Sequence, residues 1–370
     1  MKATVTKENF KKIISLVSHI VSGTSTLPIL SNILFQTDKG RIKISATNLE
    51  IGLTAWLGGK VEKEGSFTIP ARTINDYVST TMGEQVALEA QKNELTISTE
   101  SSEAKIKTLP AEEFPLIPQF KPTGTLKFTA KALKTALFEV AFAAAQAETQ
   151  PELAGIYIYT DDKNVYFVST DRYRLTERAL GLDEVSLEGE FKPIIVPQRT
   201  VMEIVRVLSS VDPEAEASLG QGENQVSFKM QDIELVSRLV DSSFPDYKQI
   251  IPANFNSEAK IPRYDLVQAI KSAGLFATAT RSIKLSFNPD AGQVEIFAAS
   301  GDIGESRVKV PGEIKGPQME STFNYRYLLD YLNTIPDEEV VFKTVNDQQP
   351  ALIEPQGRSN NRYIVMPIKA

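Results

Sequence analysis

Two periods alternate along the chain. In "FKKIISLVSHIV" the apolar positions Phe10, Ile13, Ile14, Val17, Ile20 and Val21 follow helical spacing. In "RIKISATNLEIGLTAW" (41–56), "NVYFVSTDRYRLTERA" (164–179) and "QVEIFAASGDIGESRV" (293–308), apolar residues alternate, meet a polar turn, and alternate again. That pattern predicts two strands joined at a tight corner. The segments "TVTKENFKKIISLV" (4–17), "KFTAKALKTALFEV" (127–140) and "AKIPRYDLVQAIKS" (259–272) each predict an extended lead and an amphipathic helix. Thr6 and Thr129 are the expected N-caps, since a hydroxyl can accept from a free N–H of the first turn. A second set, "SFTIPARTINDYV" (66–78), "KPIIVPQRTVMEIV" (192–205) and "ESTFNYRYLLDYL" (320–332), predicts a strand feeding a short helix.

These segments recur in one order. Arg72, Arg199 and Arg326 are spaced by 127 and 127 residues. The first two copies close alike, on "KIKTLPAEEFPLIP" (105–118) and "ELVSRLVDSSFPDYKQIIP" (234–252), and the third ends on "RYIVMPIKA" (362–370). The chain therefore reads as three copies of one module, 1–120, 121–252 and 253–370. Each is strand-rich with two helices, so the class is α+β. The short links near "KPTG" and "PANFNS" point to ordered modules, not to beads on a flexible string.

Composition narrows the function. Of 370 residues 42% are hydrophobic and 24% charged, which fits a core-forming protein. There is no cysteine, which excludes disulfides, thiolate nucleophiles and zinc-thiolate sites. The one histidine, His19, lies off the apolar stripe and reads as a solvated helix residue, so histidine-based triads and multi-histidine metal sites lose their main component. The opening residues have no apolar run after their lysines, and no stretch approaches a membrane span, so no signal peptide is expected and a cytoplasmic location is the default. Net charge is −7, yet basic residues recur on the helices: Lys7, Lys11, Lys12, Arg72, Lys131, Lys134, Arg199, Arg206, Arg263, Lys271 and Arg326. Should equivalent helices share a surface, these form a basic track for a polyanion bound through its phosphates, without base reading. The alternative is a set of ordinary solvated helix faces.

Signs of catalysis are weak. "GGKVEKEG" (58–65) lacks the order of a phosphate-binding loop, and "GQGENQ" (220–225) lacks the last glycine of a dinucleotide turn. Asp161-Asp162, Asp183-Glu184 and Asp337-Glu338-Glu339 read as turn acids. The stretch with the look of an active site is "VSTDRYRL" (168–175), where an acid, two arginines, a tyrosine and two hydroxyls crowd a strand end. Its counterparts "SATNLEIG" and "AASGDIGE" make the corner a feature of the fold, and Thr170 and Asp171 suit turn chemistry. A carboxylate-dependent hydrolase and a purely structural repeat protein are the competing readings.

Over its whole length the chain resembles the bacterial DNA sliding clamps, the beta subunits of DNA polymerase III. The resemblance is carried by "TLPILSNIL" (26–34), "ATNLEIG" (46–52), "IPARTI" (69–74), "LPAEEFPLIP" (109–118), "STDRYRL" (169–175), "SRLVDSSFPDYKQIIP" (237–252) and "YIVMPI" (363–368). It implies three clamp modules, each with two helices packed on antiparallel sheets, in a ring-forming head-to-tail homodimer. It implies a non-catalytic processivity factor without cofactor or metal. The partners it implies are double-stranded DNA, the polymerase III catalytic subunit, a clamp loader, and other polymerases and repair proteins that dock short peptides. By the same resemblance, the peptide pocket comprises Leu153, Thr170, Arg172, Tyr173, Arg174, Leu175, Pro245, Ile250, Ile364, Val365, Met366, Pro367 and Ile368. The ring joint would use Ile106 against Leu275, Phe276 and Glu305. The family turn often reads Thr-Asp-Gly-His-Arg-Leu, whereas here Arg172 and Tyr173 fill the middle and the chain ends in Lys369-Ala370. Thr24 and Gln150 stand where some members carry DNA-contacting arginines.

Overall fold

The computed structural model of the chain describes residues 1–21, 27–146, 149–277 and 281–369; Thr24 and Ala370 lie outside them. Among the described residues there are six α-helices: α1 (Lys7–Ser18), α2 (Ala71–Thr80), α3 (Ala130–Ala141), α4 (Gln198–Leu208), α5 (Arg263–Gly274) and α6 (Tyr325–Leu332). The rest of the regular structure is chiefly antiparallel sheet, as the α+β reading expects. All three expected corners are present, between the strands Arg41–Thr47 and Ile51–Leu57, Asn164–Thr170 and Arg174–Gly181, and Gln293–Ser300 and Gly304–Pro311. No helix is long and apolar enough to cross a membrane among the described residues.

The chain divides into two compact units. Unit 1 is Met1–Leu133, Ser186–Lys192 and Glu203–Leu239; unit 2 is Lys134–Val185, Pro193–Met202 and Val240–Ala370. These limits do not follow the repeat. In unit 1 a nine-stranded sheet joins Ile233–Arg238 to Ile51–Leu57, in register from Ile233↔Ala55 to Ser237↔Ile51. In unit 2 a nine-stranded sheet joins Arg174–Gly181 to Asn361–Val365, from Arg174↔Val365 to Arg178↔Asn361. The middle third thus lends strands to both neighbours. The physical reason is that an unpaired strand edge leaves a row of N–H and C=O groups unsatisfied, and pairing across the repeat boundary satisfies them.

Helix starts repeat at the level of single bonds. The first residue of each leading helix donates alike: Lys7 N–H to the Glu84 carbonyl, Ala130 N–H to Ala215 and Arg263 N–H to Glu338, each at 2.8 Å. In each case the acceptor lies just beyond the second helix of the same repeat. This corrects the expectation for Thr6. It sits at the N-cap position but its hydroxyl makes no cap bond, although Lys7 N–H is satisfied by the Glu84 carbonyl. Thr129 does cap, accepting from Ala132 N–H at 3.2 Å. His19 is the exposed C-cap residue of α1.

Burial follows the periods. In α1, Phe10, Ile14 and Val17 are buried. In unit 2, Leu266, Ile270, Leu328 and Leu332 of α5 and α6 pack into one cluster with Ile283, Phe287, Phe323 and Phe342 of the strands. Fully burying each such side chain is worth about 1.5–3 kcal/mol.

One buried position is ionic. Glu139, on α3, is 1% exposed and accepts from both terminal nitrogens of Arg358 (3.1 Å) and from Asn361 Nδ2 (2.6 Å), with Arg178 Nε at 3.2 Å. Arg358 also reaches Asp337 at 2.7 Å, and Tyr331 Oη donates to Asn361 Oδ1 at 2.9 Å. All of these residues belong to unit 2. The network ties helix, strand Arg174–Gly181 and the C-terminal strand to one carboxylate.

Candidate partner-binding site

The corner at 170–174 is built by its own side chains. Thr170 Oγ1 donates to the Arg174 carbonyl (2.7 Å) and accepts from Arg172 N–H (3.1 Å). Asp171 Oδ1 accepts from the N–H groups of Tyr173 and Arg174, each at 3.0 Å. Unit 1 repeats this bond for bond: Thr47 Oγ1 donates to Ile51 O (3.0 Å) and accepts from Leu49 N–H (3.0 Å), while Asn48 Oδ1 accepts from Glu50 (3.1 Å) and Ile51 (2.8 Å). The residue at the apex is left-handed in both, with φ +77° at Arg172 and +75° at Leu49. A non-glycine residue there costs roughly 1–2 kcal/mol. Thr170 and Asp171 therefore shape the turn, and nothing in their arrangement assembles a nucleophile with a base.

From this corner the strand Arg174–Gly181 alternates between two faces. Leu175 lies on the face that carries Val168, Ile364, Leu352 and Tyr247, a small apolar cluster with Tyr157, Tyr159, Tyr166, Phe244, Ile251 and Phe255 packed around it. The connecting segment after Val240 contributes Phe244, which stacks on Tyr157 (4.7 Å, 4°), and Tyr247, whose hydroxyl bonds Tyr159 Oη (2.7 Å) and donates to Glu177. Burial, and next the Glu177 carboxylate, push the Tyr247 phenol far above its ordinary value, so it remains a donor. A ring series runs on from Tyr157 through Tyr159 to Tyr166, at 5.0 and 4.8 Å. Lys248 sits over Tyr159 and Tyr166 at 5.4 and 5.6 Å. A hydrogen bond to Tyr159 is the main cause that raises the Lys248 ammonium above its ordinary value.

The tail completes one wall. Met366 N–H donates to the Tyr173 carbonyl (2.8 Å), and Ile368 N–H to Thr322 (2.7 Å). Pro367 is buried, whereas Ile368, Ile250, Pro245 and Tyr173 are exposed. Leu153 is buried in a one-turn 3-10 segment, Pro151–Leu153, with Gln150 before it, and its carbonyl accepts from Ala145 N–H at 2.8 Å.

Two members of the expected pocket face elsewhere. Arg174 is on the side opposite Leu175. Its guanidinium bonds Asp171 (2.9 Å), Asp330 of α6 (2.5 Å) and the Phe142 carbonyl (3.1 Å), and lies 4.4 Å over the Tyr327 ring. Val365 likewise belongs to the large core of unit 2. The reason is the strand period itself, which sends neighbours to opposite faces. Conversely, Phe244, Tyr247, Tyr157 and Leu352 belong to the apolar face and were absent from the expected set. The alternation "GIYIYT" carried a signal for Tyr157; the irregular connecting segment carried none.

The basic helix residues separate into two kinds. Lys11, Lys12, Lys131, Arg199, Lys271, Arg326 and Arg72 are exposed, and Lys7 and Lys134 are half-buried. In unit 1, Lys11, Lys12 and Arg206 line one notch with Glu8, Ser15 and Ser210. Arg206 and Arg263 are largely committed to the fold. Arg206 bonds Glu203 (2.6 Å) and the Leu16 carbonyl near the end of α1 (2.8 Å). Arg263 donates to the carbonyls of Asp337 (2.6 Å) and Leu332 (3.0 Å), the latter at the C-terminal end of α6. Cations suit helix C-termini, where free carbonyls concentrate negative charge.

The expected joint residues lie at sheet edges. Ile106 is on Glu103–Lys107, the edge of the five-stranded sheet of unit 1, with Lys105 and Lys107 near Glu94 (3.9 and 3.8 Å). Glu305 is on Gly304–Pro311, the edge of the four-stranded sheet of unit 2. Leu275 is 68% exposed just past α5, and Phe276 packs partly on the core. Among the described residues no group of three or more His, Asp or Glu has the geometry to hold a metal ion.

Comparison with known proteins covers the whole chain. Family models described as the N-terminal, central and C-terminal domains of the DNA polymerase III beta subunit match residues 1–118, 127–246 and 248–369. A beta sliding clamp of Synechococcus elongatus is 29% identical over 100% of this chain and 99% of that protein, and one from Staphylococcus aureus is 26% identical with the same coverage. Among solved structures, a sliding clamp (DNA polymerase III subunit beta) from Pseudomonas aeruginosa bound to griselimycin aligns with TM-score 0.94 and 25% identity over 100% of both chains. The DNA polymerase III beta subunit of Thermotoga maritima aligns with TM-score 0.91 and 28% identity, over 100% of this chain and 99% of that one.

Proposed function

The chain belongs to the DNA polymerase III beta subunit family, and on the premise that it is a sliding clamp of DNA replication, not an enzyme, we propose how its parts serve that role. Two copies close head to tail around duplex DNA. The strand edges Glu103–Lys107 and Gly304–Pro311 meet across the joint, where Ile106, Leu275 and Phe276 bury apolar surface and Lys105 and Lys107 face acids such as Glu305. A head-to-tail contact closes into a ring when its rotation returns to the start. Three modules, 1–120, 121–252 and 253–370, supply the repeated parts, and the spans of the three family models support that division.

Lys7, Lys11, Lys12, Arg72, Lys131, Lys134, Arg199, Lys271 and Arg326 meet phosphates without reading bases, while Arg206 and Arg263 act mainly by holding helix ends. Such contacts are weak singly and screened by salt, so the ring slides. Partners dock through short extended peptides on the apolar face around Leu175, Ile364 and Tyr247, beside the tail Met366–Pro367–Ile368. The polymerase III catalytic subunit, a clamp loader and repair proteins are the proposed occupants, in the cytoplasm. Tethering raises a partner's effective concentration at the template, and this is the source of processivity.

The observation that carries the proposal is the match of three clamp domains, in order, over the full chain. Its test is topological. Loaded with a clamp loader onto circular and linear DNA, the protein should remain on circles and run off free linear ends. Equal retention on both would rule out an encircling ring.

A further inference from the structure

We propose that Arg172 is a specificity-determining residue that reads a carboxylate on the docked peptide, so that this clamp selects acidic partners. The inference rests on the peptide-pocket reading above. Arg172 stands on the lip of that face. Its N–H is held by Thr170 Oγ1 at 3.1 Å, and the carbonyl of the next residue, Tyr173, receives the Met366 N–H at 2.8 Å. It is thus one residue from the point where the tail leaves the sheet.

The other arginines near the lip are already paired. Arg174 is held by Asp171 and Asp330. Arg362 lies 3.8 Å from Glu177, whose carboxylate also accepts from Tyr247. Lys248 rests over Tyr159 and Tyr166. Asp171 is already an acceptor for two backbone N–H groups and the Arg174 side chain. Arg172 is exposed, and no ion pair to it occurs among the described residues. Lys248 and Lys369 are also exposed and without an ion pair among the described residues, but Arg172 is the one at the apex of the corner, and a cation there beside an apolar face complements an acidic residue flanking apolar anchors.

Leu49 separates shape from charge. The same turn in unit 1 places Leu49 at the same left-handed apex, so the fold accepts a side chain there without requiring a cation. Glycine is favoured at such a φ, so Arg172→Gly removes the charge without straining the backbone.

The test uses the full chain and a synthetic octapeptide library with two adjacent large apolar residues as anchors for the apolar face, and Asp or Asn at each flanking position in turn. Fluorescence anisotropy should give, at one flanking position and low salt, a preference for Asp of about two- to fivefold, the range of an exposed ion pair. High salt should narrow the gap. Arg172→Gly should abolish it with no fall in thermal midpoint, and Arg172→Lys should keep part of it. An unchanged Asp/Asn ratio in Arg172→Gly, or no preference at any position in the parent protein, would overturn the inference. Deletion of residues 366–370 should abolish binding of both peptides. Binding that survives this deletion, or no binding at all, would instead overturn the pocket reading and the inference with it.

Discussion

Glu139 is a position where a single isosteric change should be costly to unit 2. Its carboxylate is 1% exposed and lies between Arg178 and Arg358. Glu139→Gln keeps the shape and an acceptor for Asn361, but removes the charge. Arg358 would retain Asp337 at 2.7 Å. Arg178 would retain only the Asn360 carbonyl, at 3.3 Å. Burial already holds the Arg178 guanidinium below its ordinary value, and the Glu139 charge opposes that shift. Removing one partner of a buried pair typically costs about 3–5 kcal/mol. Since Arg358 stays paired, the lower end applies, about 3 kcal/mol, which corresponds to a fall of about 6–12 °C in the midpoint of a unit of this size. Thermal melts followed by circular dichroism would measure it. The double variant Glu139→Gln, Arg178→Met should recover much of the loss, because it no longer strands a charge. A single-variant fall under about 1 kcal/mol, or a double variant less stable than the sum of its parts, would refute the reasoning.

Other outcomes follow from the same geometry. Leu275→Ala with Phe276→Ala should shift the protein from dimer to monomer in sedimentation; an unchanged dimer would show that the joint lies elsewhere. A Cβ on Gly52 would sit 2.7 Å from Ile117 Cγ2, so Gly52→Val should displace that segment and destabilise by about 1–3 kcal/mol in denaturant melts, with Gly58→Val, whose Cβ meets nothing within 4 Å, as the comparison. Glu320 is held below the usual carboxylate range by hydrogen bonds from Lys284 and then Ser286. A depressed folded-state value means stabilisation that is present above the unfolded value and lost as pH falls through the folded one. Glu320→Gln should therefore cost a few tenths of a kcal/mol at neutral pH, as expected of an exposed pair, and nothing in acid.

Local features were legible in the sequence for a physical reason. The helices and corners are set by neighbours within a few residues, so the 3.6 and 2.0 periods and the Thr-Asp and Thr-Asn turns were enough to find them. The side of the sheet was legible too, had the period been applied strictly. Arg174 and Leu175 are adjacent in a strand, as are Ile364 and Val365, so one of each pair had to face away from the pocket. Long-range chemistry was not legible. Glu139 is visible as a lone acid inside the apolar run "ALFEVAFAA", which signals a buried partner, but Arg358 and Asn361 lie 219 and 222 positions away. No local pattern encodes that separation. The same holds for Tyr247, whose place against Glu177 depends on how an irregular segment crosses a finished sheet. The repeat dictates the turn, and the turn dictates a left-handed apex, but neither dictates the side chain that stands there. Leu49 shows that the apex tolerates a non-glycine side chain for fold reasons alone, so what Arg172 does there is a question of its charge and is answered by the Asp/Asn peptide comparison.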